Sequence, residues 1–226
     1  MCGRFTLRAP ASVIAEQFAV FETAPWKPRY NIAPSQPVLA VRLANAGTKA
    51  ASGRELVWLR WGLIPSWAND PAIGNRLINA RADTVAIKPA FRAAIRHRRC
   101  LVVADGFYEW QQAGKRKVPH LIRMRDDRPF GFAGLWELWE GPDHSAVESC
   151  TLLTTEANDL VRPIHGRMPV IIARRDYDRW LDPAVTSSDP LMPLLRPYPS
   201  EQMTAYPVSP LVNNPANDEP ACVEPA

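Results

Sequence analysis

Proline is the residue that most restricts this chain: 23 prolines against 11 glycines in 226 residues, from Pro10 to Pro225. Each one fixes φ, removes a backbone donor and breaks a helix interior or a central strand. A long helical bundle is therefore excluded, and the elements must be short and joined by stiff turns. Hydrophobic residues make up 46% and charged residues 22%, a globular balance rather than a disordered one. A chain of 226 residues can bury a sizeable core without metal or disulfide staples.

Residues 3–7 alternate like a short strand, and Pro10 opens a helix with Val13, Ile14, Phe18 and Phe21 on its apolar face. Residues 25–37 hold four prolines and read as ordered coil. Strands are expected at 38–43 and 55–63, separated by the small polar stretch Ala44–Gly53, and 64–75 reads as an exposed loop. The segment 79–98 has helical composition broken by Pro89. Strands follow at 100–104, 107–111, 118–125, 130–139 and 149–155, with a hairpin turn at Ala113-Gly114-Lys115. A helix is expected to start near Glu156, then a buried strand at 169–173, a helix at 174–181 and a strand near 204–208. No repeat and no linker divides the core. The expectation is one α+β domain over 1–213, rich in antiparallel strands, with the tail 214–226 frayed.

The formal net charge is +4, which permits a polyanionic partner without requiring one. Cysteines at 2, 100, 150 and 222 form no CxxC pair, and the histidines at 97, 120, 144 and 165 are as scattered, so no local metal-ligand spacing exists. No metal or other cofactor is expected. No apolar run is long enough to span a membrane, and the early apolar stretch 11–20 is interrupted by Glu16, so a cytoplasmic monomer with reduced thiols is expected. P-loop, GxSxG, HExxH and GxGxxG sequences are all missing.

What remains is a set of dispersed polar blocks. Cys2 becomes N-terminal once Met1 is trimmed, presenting an α-amine and a thiol on one carbon framework. The amine can attack an aldehyde to give an imine, and the thiol can close on the imine carbon to give a five-membered thiazolidine. The alternative is that Cys2 is merely a small residue opening a strand. Asn79 and Arg81 flank an alanine and suit an oxyanion or a sugar hydroxyl, or else Asn79 caps a helix. Glu109 lies among aromatics on an expected strand, where burial would raise its pKa and fit it for acid/base work; outward exposure is the alternative. His165 precedes a glycine in a loop, and Arg167 could contact phosphate. Tryptophans 61, 67 and 110 lie near Arg4, Arg60, Arg76, Arg81 and Arg92, an interleaving that suits single-stranded nucleic acid or a solvated basic surface over a core.

Read together, Met1-Cys2-Gly3-Arg4-Phe5, Arg29-Tyr30-Asn31-Ile32-Ala33-Pro34, Trp61-Gly62-Leu63-Ile64-Pro65-Ser66-Trp67, Asn79-Ala80-Arg81, Asp105-Gly106-Phe107-Tyr108-Glu109-Trp110 and His165-Gly166-Arg167-Met168-Pro169 resemble the SOS-response-associated peptidase (SRAP) family. Tyr206-Pro207-Val208-Ser209 and Asn213 fit its C-terminal end, so the resemblance runs in order along nearly the whole chain. It implies a compact, barrel-like strand-rich core with peripheral short helices and a basic channel leading to the N-terminal cysteine. It also implies self-crosslinking to abasic sites in single-stranded DNA, which shields the lesion from strand cleavage. Carried over, Cys2 is the nucleophile, Asn79 holds its amine and the opened sugar, Glu109 moves protons, and His165 assists ring opening. Arg4, Asn31, Arg81 and Arg167 would line the phosphate path, with Pro34 and Trp67 beside the DNA.

Three function classes follow from these residues: a DNA-crosslinking enzyme, a cysteine-type (auto)peptidase using Cys2, and a non-catalytic reader of modified bases built on Arg81 and the tryptophans.

Overall fold

A computed structural model describes residues 2–21, 26–44 and 53–226. Most of the expected polar connection at 44–53 and the start of the coil at 25–37 lie outside the described residues. In chain order the elements are β1 (Phe5–Leu7), α1 (Ala11–Phe18), β2 (Arg29–Ile32), β3 (Pro37–Leu43), β4 (Arg54–Trp61), β5 (Asn79–Arg81), α2 (Ala94–His97), β6 (Arg99–Ala104) and β7 (Gly106–Ala113). They continue with β8 (Arg116–Met124), β9 (Phe130–Glu140), β10 (Ala146–Glu156), β11 (Arg167–Pro169), β12 (Ile171–Ile172), α3 (Tyr177–Leu181) and β13 (Met203–Pro207), plus short 3-10 turns.

The central feature is a closed ring. β10 pairs in parallel with β4, and antiparallel pairs then run β4–β3, β3–β6, β6–β9 and β9–β10. Closure leaves these five strands without a free edge along the ring. Their sequences suit it: Val38–Val41 and all of Arg99–Ala104 are buried, as continuous apolar runs covered on both faces must be. Gly134 allows β9 its close approach to β6, since a Cβ there would meet Cys100 Sγ at 2.7 Å. A second sheet, ordered β13-β8-β7-β1-β2, packs beside the barrel. Phe5 of β1 joins the two layers, with ring centroids 5.1 Å from Trp61 and 5.7 Å from Phe132. The outcome is the expected α+β architecture, a barrel with peripheral short helices in one compact domain.

Three local expectations are corrected. Residues 79–98 are not a broken helix: 79–81 form β5, paired in parallel with Leu152–Thr154 of β10, and only Ala94–His97 are α-helical. Strand pairing along a buried neighbour outweighs the helical propensity of the segment. No helix starts at Glu156, which instead ends β10 opposite Arg167; the following residues are turns, with Pro163 unable to donate a helical bond.

The tail 214–226 is not frayed. The Asp218 carboxylate accepts from the amides of Tyr30 (2.5 Å) and Asn31 (2.9 Å) and pairs with Arg29. Cys222 is fully buried, and the Ala226 amide donates to the Pro207 carbonyl at 3.0 Å. Polar capping of the β2 edge, invisible to composition, holds the segment down.

Candidate active site

Cys2 is placed by the strand that follows it. Phe5 and Thr6 of β1 pair with Phe107 and Gly106 of β7. Buried Asp105 clamps the same strand, accepting from Thr6 Oγ1 (2.6 Å), Arg8 Nε (3.2 Å), the Ala9 amide (2.8 Å) and the Arg8 amide. Gly106 is needed here because a Cβ would lie 2.9 Å from Thr6 Oγ1. The Arg4 carbonyl accepts from the Tyr108 amide at 3.0 Å, which fixes residues 2–4 as a continuation of the sheet. The Cys2 side chain is fully buried at its end.

Asn79 reaches the same point from the barrel. Its strand runs alongside β10, and Trp61 Nε1 donates to the Ile78 carbonyl at 2.8 Å, pinning the residue before it. Asn79 Nδ2 donates to the Cys2 carbonyl at 2.7 Å. Its Oδ1 is buried and accepts no hydrogen bond among the described residues, an acceptor left over for an incoming N–H or O–H.

Glu109 comes from β7, one face of which carries Phe107 into the main core while Tyr108 packs under the tail. It is 3% exposed, and burial pushes its carboxyl up to about 7. His165 Nδ1 lies 3.9 Å from Glu109 Oε2. The same nitrogen is 3.1 Å from the Arg167 amide and 3.0 Å from its carbonyl, so it can accept when neutral and donate when protonated. The Cys2 thiol is raised well above its usual range, first by burial and then by the Glu109 charge.

Glu109, Trp110, Lys117, His165 and Asn213 line a cavity of about 360 Å³. Lys117 and the clamp residue Asp105 were not singled out in the sequence. Asp105 had a local signal, a carboxylate at a strand end before a glycine, whereas Lys117 lies in an unremarkable hairpin arm. Among the described residues no group of three or more His, Cys, Asp or Glu gathers to hold a metal ion.

The expected DNA-contacting residues separate into three kinds. Arg81 is exposed and grips Asp83 through Nε (3.1 Å) and Nη2 (2.5 Å). Arg167 is half-buried, donating to the Thr154 carbonyl at 2.7 Å, and its pKa is lowered by burial and by the nearby Arg81 charge. These two cations therefore face one region. Pro34 precedes Ser35, whose Oγ donates to Asn75 Oδ1 (3.0 Å), an oxygen that also accepts from Arg60 Nη2 (2.7 Å). Trp67 is 59% exposed, free to stack on a ligand.

Asn31 is the correction. Its side chain is fully buried, accepts from Arg4 Nη1 at 2.8 Å and donates to the carbonyls of Val212, Asn214 and Asn217. With its polar atoms engaged it has none to offer a phosphate. Arg4 uses its Nη1 in the same way, donating also to the Val212 carbonyl at 2.8 Å with its guanidinium 5.9 Å from the Trp110 ring centroid, while its buried Nε has no hydrogen-bond partner among the described residues. Both hold the site's wall in place.

The family model described as SOS response associated peptidase (SRAP) matches residues 1–215. The chain is 44% identical over 228 residues to "Abasic site processing protein YoqW" of Bacillus subtilis (strain 168), covering 99% of each. It is 30% identical over 271 residues to "Abasic site processing protein HMCES" of Mus musculus, covering all of this chain and 76% of that one. A crystal structure of a Bacteroides thetaiotaomicron protein superposes with TM-score 0.88 at 27% identity over the full length of both chains. The chain belongs to the SRAP family.

Proposed function

We propose that this chain, once Met1 is removed, captures abasic sites in single-stranded DNA as a covalent thiazolidine and so shields them from strand cleavage. The observation that carries the reading is geometric: Cys2 is buried and held through its carbonyl by Asn79 at 2.7 Å, and buried Glu109 lies 3.9 Å from His165. The names of the relatives in Bacillus subtilis and mouse support abasic-site handling.

An abasic deoxyribose is mostly a closed hemiacetal. Opening it requires loss of the anomeric hydroxyl proton and protonation of the ring oxygen, which Glu109 and His165 share. The Cys2 amine then attacks C1′, and loss of one water gives the imine. Sulfur next bonds to C1′ while the thiol proton passes through Glu109 to the former imine nitrogen. One water is released overall and no oxidant is needed. A carboxyl titrating at about 7 supplies both protonation states at neutral pH. The thiol is raised rather than lowered, which suits base-assisted ring closure and weighs against a peptidase relying on a resting thiolate. Arg81 and Arg167 hold the flanking phosphates and Trp67 stacks on a base. The protein acts as a cytoplasmic monomer wherever single strands are exposed.

Incubation with a labelled abasic oligonucleotide followed by denaturing electrophoresis tests this. A heat-stable shifted band is expected. Salt-sensitive retention with no denaturation-resistant band would point to a reader instead, and cleavage of a peptide substrate to a peptidase.

A further inference from the structure

The family model ends at residue 215, yet the last residues are built into the site. We propose that Asp218 is a positioning residue: through Asn31 and Arg4 it latches the C-terminal tail against the N-terminal segment that presents Cys2. The inference rests on the proposed reaction for its kinetic consequence, but not for its structural one.

The connection is continuous. Asp218 Oδ1 accepts from the amides of Tyr30 and Asn31, and its other oxygen pairs with Arg29 Nε. This fixes the backbone that carries Asn31. The Asn31 carboxamide is wholly enclosed, its nitrogen donating to Val212, Asn214 and Asn217 carbonyls at 3.2, 3.0 and 2.7 Å. Its oxygen accepts from Arg4, which also donates to the Val212 carbonyl. Two residues before Arg4 stands Cys2, whose thiol points at the Arg4 carbonyl from 3.9 Å. On the other side, Trp110 Nε1 donates to Asn213 Oδ1 at 2.7 Å, and both residues line the cavity with Glu109 and His165. Tail and N-terminus therefore form one hydrogen-bonded wall. Sequence neighbours place Asp218 nowhere near Cys2; the three-carbonyl grip of Asn31 does.

A half-buried carboxylate that takes two amides and a guanidinium holds its loop, and losing it opens the region locally rather than globally. The barrel is closed independently of it, so the four buried cysteines serve as internal reporters. Cys2 and Cys222 lie in the latched wall, while Cys100 and Cys150 lie in barrel strands β6 and β10.

The test compares wild type, Asp218→Ala and Asp218→Asn as full-length protein, by iodoacetamide labelling of each cysteine read by mass spectrometry and by crosslinking to an abasic oligonucleotide. Asp218→Ala is expected to speed labelling of Cys2 and Cys222 about tenfold, with Cys100 and Cys150 unchanged. At saturating DNA its crosslinking rate should fall by a similar factor while its affinity for intact single strands holds. Asp218→Asn keeps an oxygen for both amides and should recover most of both losses. Equal labelling of Cys2 in wild type and Asp218→Ala would overturn the latch, as would a parallel rise at all four cysteines. Should wild type itself form no crosslink, the proposed reaction fails, while the labelling pattern still decides the latch.

Discussion

Cys2 and Cys150 are both fully buried, and burial raises both thiols, but their surroundings differ in kind. Cys150 sits in the barrel with Cys100, whose thiol is likewise pushed up to about 12 among apolar neighbours. Around Cys2 the burial encloses polar atoms: Asn79 Oδ1 and Arg4 Nε have no hydrogen-bond partner among the described residues, and Glu109 is 3% exposed. Each unsatisfied buried polar atom costs about 1–3 kcal/mol. A fold keeps such a cluster only where the barrel beside it supplies the stability, and the cluster is then poised for a ligand. Inert burial and poised burial are thus neighbours in one domain.

The largest expected effect breaks the poised side. Glu109→Gln should slow crosslinking by ~10²–10⁴-fold, because a positioned proton-transfer group is removed. Single-turnover rates on an abasic oligonucleotide measure it. The same variant should be more stable than wild type in alkaline solution. The folded carboxyl titrates at about 7 against an ordinary 4.5, so the folded state holds a proton that the unfolded chain has released. Stability present at low pH is lost as pH rises through that window, and the uncharged amide escapes the loss. Thermal melts should therefore show the variant ahead at about pH 8 and level with wild type near pH 4.

The reverse experiment strains the inert side. Gly134→Ala puts a methyl 2.7 Å from Cys100 Sγ and 3.1 Å from Val102 Cγ2. Overpacking of this kind costs about 1–3 kcal/mol, read as a lowered urea midpoint, while crosslinking per folded molecule should stay at the wild-type rate.

The smallest effects concern the cations at the rim. Arg81→Ala and Arg167→Ala should each reduce the salt dependence of single-strand binding by about 0.7 in log–log slope. Because Arg81 is held by Asp83, Asp83→Asn should tighten binding by freeing the guanidinium, with the slope unchanged or steeper. Fluorescence anisotropy across a salt series distinguishes these outcomes.

Much of this was legible beforehand. Buried apolar stretches such as Val38–Val41 and Cys100–Ala104 mark the barrel strands, and Gly114 with φ +60° closes the hairpin where the turn residues indicated it. Cys2, Asn79, Glu109 and His165 were visible as chemistry-bearing types. Asn79 was harder to place, because a three-residue strand paired to a distant β10 leaves no periodic signal and the segment after it has helical composition. Asn31 was expected on the phosphate path only through the family resemblance; the fold reveals that carbonyls 181 to 186 residues away enclose it. The tail misled for the same reason, since prolines and small polar residues read as loose until Asp218 meets the β2 amides. Local pattern carries element type, and long-range polar pairing is what it omits.

The central claim is that the amine and the thiol of Cys2 act together, and the N-terminus itself provides the test. A chain carrying extra residues before Cys2 keeps the sulfur but turns the amine into an amide, which cannot form an imine. Cys2→Ser with a free N-terminus keeps the amine and loses the ring-closing sulfur. Denaturing electrophoresis with a labelled abasic oligonucleotide, with and without borohydride, should show a heat-stable band for processed wild type and none for the extended chain. Cys2→Ser should give only a borohydride-trapped adduct with some strand cleavage. A heat-stable band of wild-type intensity from the extended chain would contradict the account.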